Sequence, residues 1–201
     1  MIDDGLIDGL LEDASNFDLR YVPDYDRIRK IVDAMRARGS KVVLTSGSFD
    51  ILHEGHSMYL EAARRLGDFL IVGVDSDEKI RQRKGPGRPV VPEQERLRMV
   101  AHQRGVGIVT IKGLKHAKWA LIEAVRPDVL VATEDTYSEA EIAALEASLC
   151  GRVEVLARMA TISTSARLRL LHLALADKLS ARVSEKLPAF IQQIIEEILS
   201  P

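Results

Sequence analysis

A single cysteine and an aromatic content of only 4% leave this 201-residue chain without two common sources of rigidity. Cys150 can form no disulfide within the chain. It ends a helical stretch with no His or carboxylate cluster in sequence nearby, so it reads as a packed thiol rather than a nucleophile. A run of 18 apolar residues is also missing, as is a basic stretch followed by an apolar one. The sequence therefore predicts neither a transmembrane helix nor a signal peptide, and by default a cytoplasmic protein with no membrane partner. Charge of one sign is not in excess either, since 28 basic against 30 acidic residues leave a formal −2. Without a broad basic field no nucleic-acid partner is expected, and any anion site must be assembled locally. Internal repeats and low-complexity tracts are lacking too.

What is present is a chain 46% hydrophobic, enough for one core with extensions. Short β-branched runs recur at 41–45 (KVVLT), 69–74 (FLIVGV), 106–111 (VGIVTI), 128–132 (DVLVA) and 152–156 (RVEVL). Between them lie stretches of helical periodicity, such as Tyr59, Ala62, Ala63 and Leu66 at i, i+3, i+4 and i+7, with others predicted at 24–38, 93–103, 117–125, 138–149 and 163–179. This alternation predicts an α/β, doubly wound five-stranded parallel sheet with helical N- and C-terminal extensions. Ligands bind such sheets at the carboxyl ends of the strands, where the winding reverses. Residues 1–23 are expected to be an arm, its first 20 acidic and weakly patterned, and 180–201 an amphipathic helix. The stripe of that helix, Leu187, Phe190, Ile191, Ile194, Ile195, Ile198 and Leu199, must fold back on its own domain or meet a second copy; a homo-oligomer, a dimer, is the expected state.

The stretch GSFDILHEGH, residues 47–56, leaves the carboxyl end of the first predicted strand. A helical zinc site needs His-Glu-x-x-His so that both imidazoles share one face, and HEGH is one residue short, so no protein-held metal is expected. A phosphate reading uses more of the stretch. Gly47 lets backbone approach a ligand, Gly55 relieves crowding at the helix entry, and His56 falls near a helix start whose free N–H groups favour an anion. Locally, a turn capped by Ser48 and Asp50 with incidental histidines explains the pattern as well. Two further segments favour phosphate. The 75–96 connection, DSDEKIRQRKGPGRPVVPEQER, reads as a long irregular loop dense in Arg81, Arg83, Lys84 and Arg88, suited to a lid over a polyphosphate, with Lys84 as a point charge and Arg88 or Arg96 as a bidentate fork. The hydroxyls of Ser163, Thr164 and Ser165 open the last predicted helix of the sheet unit, where they can cap it and reach a phosphate.

In this order, GSFDILHEGH, KGPGRPVVPEQER, RPDVLV and ISTS resemble the successive motifs of the cytidylyltransferase-like nucleotidyltransferases, whose signature is HxGH after the first strand and paired hydroxyls at a late helix start. The similarity is greatest to the heptose 1-phosphate adenylyltransferase branch, through KGPGRPV and LGDFLIVGVDSD, and spans 30–175. The resemblance implies a Rossmann-like fold of the HxGH type in a domain at 24–179. It also implies a reaction in which a nucleoside triphosphate and a phosphorylated small molecule give a nucleoside-diphosphate conjugate and pyrophosphate. On this resemblance His53, His56 and Lys84 act on the triphosphate. Ser46, Gly47, Ser48, Phe49, Gly55, Arg88, Arg96, Asp135, Ser163 and Thr164 would bind nucleotide, with Mg²⁺ bridging the phosphates. Asp75, Thr133, Glu134 and Tyr137 would line the acceptor site. Alternatives are a CTP-dependent enzyme acting on a polyol phosphate, aminoalcohol phosphate or phosphonate, and a nucleotide-binding regulatory or scaffold protein without turnover. The chain departs from the heptose branch at ATEDTY (132–137), where Thr133 and Glu134 replace glycines, at Ser48, where cysteine is common, and at Asp75, where asparagine is usual.

Overall fold

The computed structural model describes Gly9, residues 16–157, residue 159 and residues 164–199, without the side chains of 164–167 and 199. The chain divides into two compact units, Met1–Thr161 and Ile162–Pro201. In the first, strands β1 (Val42–Gly47), β2 (Phe69–Asp75), β3 (Val106–Lys112), β4 (Val129–Thr133) and β5 (Arg152–Leu156) form one parallel sheet in the order β3-β2-β1-β4-β5. From residue 16 on, the described residues of this unit form the helices α1 (Phe17–Arg20), α2 (Tyr25–Ala37), α3 (Glu54–Arg64), α4 (Asp77–Lys84), α5 (Glu93–Ala101), α6 (Ala120–Val125) and α7 (Glu139–Ser148).

Both faces of the sheet are covered, which is why β2 is buried along its whole length and reads as a continuous apolar run. On one face Val42, Leu44, Ile71, Ile108 and Leu130 pack with Ile28, Ile31, Val32 and Met35 of α2 and with Leu121, Ile122 and Val125 of α6. On the other, Val43, Val72, Val74, Val109 and Val131 pack with Leu60 and Ala63 of α3 and with Leu97, Val100 and Ala101 of α5. Side chains on a strand alternate between faces, so each strand feeds both cores. The α2 residues recur at i, i+3, i+4 and i+7, Asp24 caps the helix by accepting from the Asp26 N–H, and each of the four is at most 1% exposed. Burial of that kind contributes about 1.5–3 kcal/mol per side chain. Winding reverses between β1 and β4, so the crevice lies beyond Gly47 and Thr133.

Within the first unit, two segments take a form other than the one the sequence predicts. Residues 16–22 do not behave as an arm. Asn16 caps α1, Phe17 is buried and stacks on Tyr21 with centroids 5.4 Å apart, the Arg98 guanidinium lies 4.2 Å above the Phe17 ring, and the Val22 N–H donates to the Val109 carbonyl. Nor is the 75–96 connection an irregular loop, because α4 occupies 77–84 of it. That helix carries one buried apolar residue, Ile80, too few to create a periodicity. Its ends define it instead: the Ser76 hydroxyl accepts from the Lys79 N–H, Asp77 and Glu78 stand in the first turn, Arg81, Arg83 and Lys84 in the last, and Gly85 closes it at φ 93°. Only residues 85–92 remain irregular.

The second unit is α8 (Thr164–Leu199), one helix of 36 residues with Pro188 inside it. It joins the helix predicted at 163–179 to the amphipathic segment at 180–201, and the domain expected at 24–179 runs across the division between the units. Leu187, Phe190, Ile191, Ile194, Ile195 and Ile198 are exposed on it. Among the described residues no helix is long and apolar enough to cross a membrane.

Candidate active site

The turn out of β1 is built around a buried carboxylate. Asp50 is 2% exposed, accepts the Val90 and Val91 N–H groups at 3.0 Å each, and pairs with Arg88 at 2.7 Å. To aim Asp50 inward, the residues on either side take left-handed backbone angles, φ 48° at Phe49 and φ 49° at Ile51. Bulky and β-branched side chains avoid that region, so each position stores about 1–3 kcal/mol that the surrounding contacts offset. Phe49 anchors the turn in the core shared with α3 and α5.

His53 follows as the N-cap of α3, in extended conformation. Its carbonyl accepts the His56 N–H at 2.8 Å, and its own N–H donates to His56 Nδ1 at 3.3 Å. With Nδ1 acting as acceptor, the neutral His56 ring carries its proton on Nε2. The two imidazoles stack with centroids 3.9 Å apart and planes 30° from parallel, and the Phe49 ring lies 5.5 Å from His56. Burial first, then the neighbouring His53 and Lys84, lower the His56 pKa to about 4. The two stacked imidazoles thus stand at a helix N-terminus, where unpaired backbone N–H groups and the positive dipole end favour an anion. Gly55 is buried in the first turn between them.

Lys84 ends α4, and its pKa is lowered by partial burial and by Arg83 and Arg88. Arg88 turns onto Asp50. Arg96, predicted from the sequence as a phosphate fork, sits instead beneath the site at 1% exposure. Its Nε donates to the Val91 carbonyl at 2.9 Å, Nη1 to the Ser48 carbonyl at 2.5 Å and Nη2 to Asp77 at 2.7 Å. Such geometry braces the Ser48 turn, the 85–92 segment and the start of α4 against one another. The reason is burial: a guanidinium this enclosed must direct its N–H groups to fixed oxygens. The Asp77 N–H in turn donates to Glu93 at 2.8 Å, tying α4 to α5.

At the ends of β1, β2 and β3 lies a second polar group. Asp75, 3% exposed at its side chain, faces Arg83 at 3.0 Å and Lys79 and Lys112 at 3.8 Å. Arg83 also donates to the Ser48 hydroxyl at 2.6 Å, and Lys112 to the Ser46 hydroxyl at 2.8 Å. In the sequence Lys112 reads as the polar end of a strand, and only its register opposite Asp75 in the folded sheet brings it into this group. At the end of β4, the Thr133 and Thr136 hydroxyls lie 3.0 Å apart and close a tight turn that leaves Glu134 and Asp135 exposed. Tyr137 packs on the core, and burial raises its pKa to about 12. Ser163 lies outside the described residues. Thr164 opens α8, with its side chain likewise outside them.

The stretch that builds this geometry, an HxGH pair at a helix start beyond the first strand of a β3-β2-β1-β4-β5 sheet, lies within a family match. The model for cytidylyltransferase-like proteins covers residues 44–173, and the chain belongs to that family. Individual relatives carry the match further. The chain is 44% identical over 103 residues to the bifunctional protein HldE of Desulfatibacillum aliphaticivorans, covering 51% of this chain and 21% of that protein. To HldE of Aeromonas hydrophila it is 46% identical over 117 residues, 58% of this chain and 24% of the relative. The chain thus spans about a quarter of the length of these relatives. Among solved structures, the lipopolysaccharide core biosynthesis protein from Thermoplasma volcanium shares 30% identity at a TM-score of 0.51, with 60% of this chain and 97% of that one covered. A pantoate-β-alanine ligase from Francisella tularensis, at 13% identity and a TM-score of 0.52 over 68% of this chain and 66% of that one, shares the fold.

Proposed function

We propose that this chain is a nucleotidyltransferase that moves AMP from ATP to a sugar phosphate such as heptose 1-phosphate and releases pyrophosphate. The observation that carries the reading is the stacked His53–His56 pair on the start of α3, at the carboxyl end of β1. The 44% and 46% identity to HldE proteins and the likeness to a protein of lipopolysaccharide core biosynthesis support the sugar-phosphate acceptor. In the reaction an oxygen of the acceptor phosphate attacks the α-phosphorus of the triphosphate, and the bond from that phosphorus to the pyrophosphate oxygen breaks. The electron pair leaves with pyrophosphate, so no proton need be moved by the protein at the bond-making step, and the work is positioning and charge stabilisation.

His53 and His56 would hold the triphosphate through their ring N–H groups and through the helix start. His56, neutral before binding, would take up a proton as the anion arrives. Lys84 would neutralise the β- and γ-phosphates, Ser46 to Phe49 with Gly55 would shape the turn the nucleotide lies on, and Arg88 and Asp135 would flank it. Asp75, Thr133, Glu134 and Tyr137 would line the acceptor side. Among the described residues no cluster of three His, Cys, Asp or Glu side chains can hold a metal ion. Mg²⁺ bridging the substrate's own phosphates would offset their charge. A dimer formed through the apolar stripe of α8 is part of the same proposal.

Pyrophosphate release, measured with each of the four nucleoside triphosphates against a panel of sugar, polyol and aminoalcohol phosphates, tests the reading. ATP with a sugar phosphate should give the highest kcat/KM. Release with CTP and a polyol or aminoalcohol phosphate would replace it with the cytidylyltransferase reading. Saturable binding of one triphosphate without release in any pairing would make the chain a nucleotide-binding module.

A further inference from the structure

We infer that Lys112 and Arg83, with the hydroxyls of Ser46 and Ser48, form a second anion seat, separate from the histidine pair, that takes the phosphate of the acceptor. The inference rests on the nucleotidyltransferase reading for the identity of that phosphate, and on charge and geometry for the seat itself. Among the described residues Asp75 is the one carboxylate paired with Lys79, Arg83 and Lys112, at 3.8, 3.0 and 3.8 Å. One negative charge among three positive ones leaves a surplus of two beside a carboxylate that is almost wholly buried, and phosphate, at about −1.5 to −2 near neutral pH, balances it.

The side chains are shaped for such a ligand. Strand alternation puts Ser46, Asp75 and Lys112 on the face covered by α2 and α6, opposite the face on which α3 carries the histidines. The stem of Lys112 lies across Gly73, where an added Cβ would stand 2.7 Å from Lys112 Cδ and 3.1 Å from Ser46 Cβ, so the floor must be bare for the stem to reach. The ammonium has three protons. One goes to the Ser46 hydroxyl at 2.8 Å, and at 3.8 Å the Asp75 oxygen is too far to hold another well, which leaves donors for an incoming oxygen. Two residues back on the same face, the Thr110 hydroxyl is buried with no hydrogen-bond partner. Burial lowers the Lys112 pKa, and a bound anion would reverse that.

The test uses the full chain and inorganic phosphate, followed by ³¹P NMR titration with and without a non-hydrolysable ATP analogue and Mg²⁺. Phosphate should bind in both conditions, Lys112→Met should weaken it at least tenfold, Lys112→Arg should stay within about threefold, and Asp75→Asn should tighten it severalfold by removing the competing carboxylate. In turnover, Lys112→Met should raise the acceptor KM at least tenfold while the triphosphate KM stays within twofold. Unchanged phosphate affinity in Lys112→Met, or displacement of phosphate by the ATP analogue, would overturn the inference. Should Lys112→Met fail to fold, the Lys112→Arg and Asp75→Asn titrations decide, and weaker binding in Asp75→Asn sinks the seat. Absence of pyrophosphate release with every pairing, alongside Lys112-dependent phosphate binding, would remove the enzymatic reading and leave the seat standing.

Discussion

Arg96 gives the sharpest test, because sequence and structure assign it different work. A phosphate-binding arginine can be removed with loss of ligand affinity and little loss of stability. The brace seen here cannot. Its guanidinium, itself 1% exposed, holds the carbonyls of Ser48 and Val91 and the carboxylate of Asp77, which is 23% exposed, so truncation removes the donor of all three and opens a void. Breaking a buried ion pair by removing one partner costs about 3–5 kcal/mol. For a chain of this size each kcal/mol moves the melting midpoint by about 2–4 °C, so Arg96→Ala should melt about 6–20 °C lower. Arg96→Lys should recover less than half of that, since an ammonium on a flexible stem does not reproduce a planar fork aimed at three separate oxygens. Thermal and urea unfolding followed by circular dichroism measures both. A variant within about 1 kcal/mol of wild type that nonetheless fails to bind triphosphate would refute the brace and restore the phosphate role.

Other predictions follow from neighbouring contacts. His56→Ala should fold and lose about 10²–10³ in rate, read by pyrophosphate release, whereas near-full turnover would remove the ring from the chemistry. The same ring sets a pH dependence. Its folded pKa of about 4 lies below the unfolded value of 6.5, so its stabilising contribution is full above pH 6.5 and is lost as pH falls toward 4. Discounted for a partly exposed ring, the loss is about 2 kcal/mol, and urea titrations at pH 7 and 4.5 should show His56→Ala losing less stability than wild type between them. Asp50→Ala removes the acceptor of two backbone N–H groups and the partner of Arg88, and limited proteolysis should then cut within 85–91 where it spares the wild type. Gly67→Ala places a Cβ 2.6 Å from Val43 Cγ2 and 2.7 Å from the Lys41 carbonyl oxygen, and should cost about 1–3 kcal/mol in urea unfolding. Light scattering should report a dimer for the full chain and a monomer without residues 183–201; identical association states would exclude the α8 stripe.

The strands were legible because a parallel sheet covered on both faces demands uninterrupted apolar runs, and those runs stand out against a chain rich in charge. The element order followed from their alternation with helical stretches. Helix α4 was hidden because its specification is all at its ends, in a cap, a charge gradient and Gly85, and none of these creates a period. The histidines could be placed at a helix start from their position after β1. What the sequence could not tell is which way an arginine points: Arg96 and Arg88 sit in a basic segment that looks made for phosphate, yet both turn onto protein oxygens. Asp50 showed the converse. It reads as a local turn former, and its partners lie 40 and 41 residues downstream. Lys112 emerged only from register, since the strand that carries it and the carboxylate it faces are brought together by β2–β3 pairing.

The paired left-handed residues around Asp50 bear on how this protein could be engineered. Ile51 is where a stability screen would look first, since glycine or asparagine accepts φ 49° with far less strain than a β-branched side chain. The gain would be drawn from the same turn that delivers His53 to its helix start. A more tolerant residue widens the backbone choices there and lets the histidine pair drift. Thermostable variants selected for folding alone should therefore accumulate at this turn and arrive as poorer catalysts, whereas selection for turnover should leave the strained isoleucine in place.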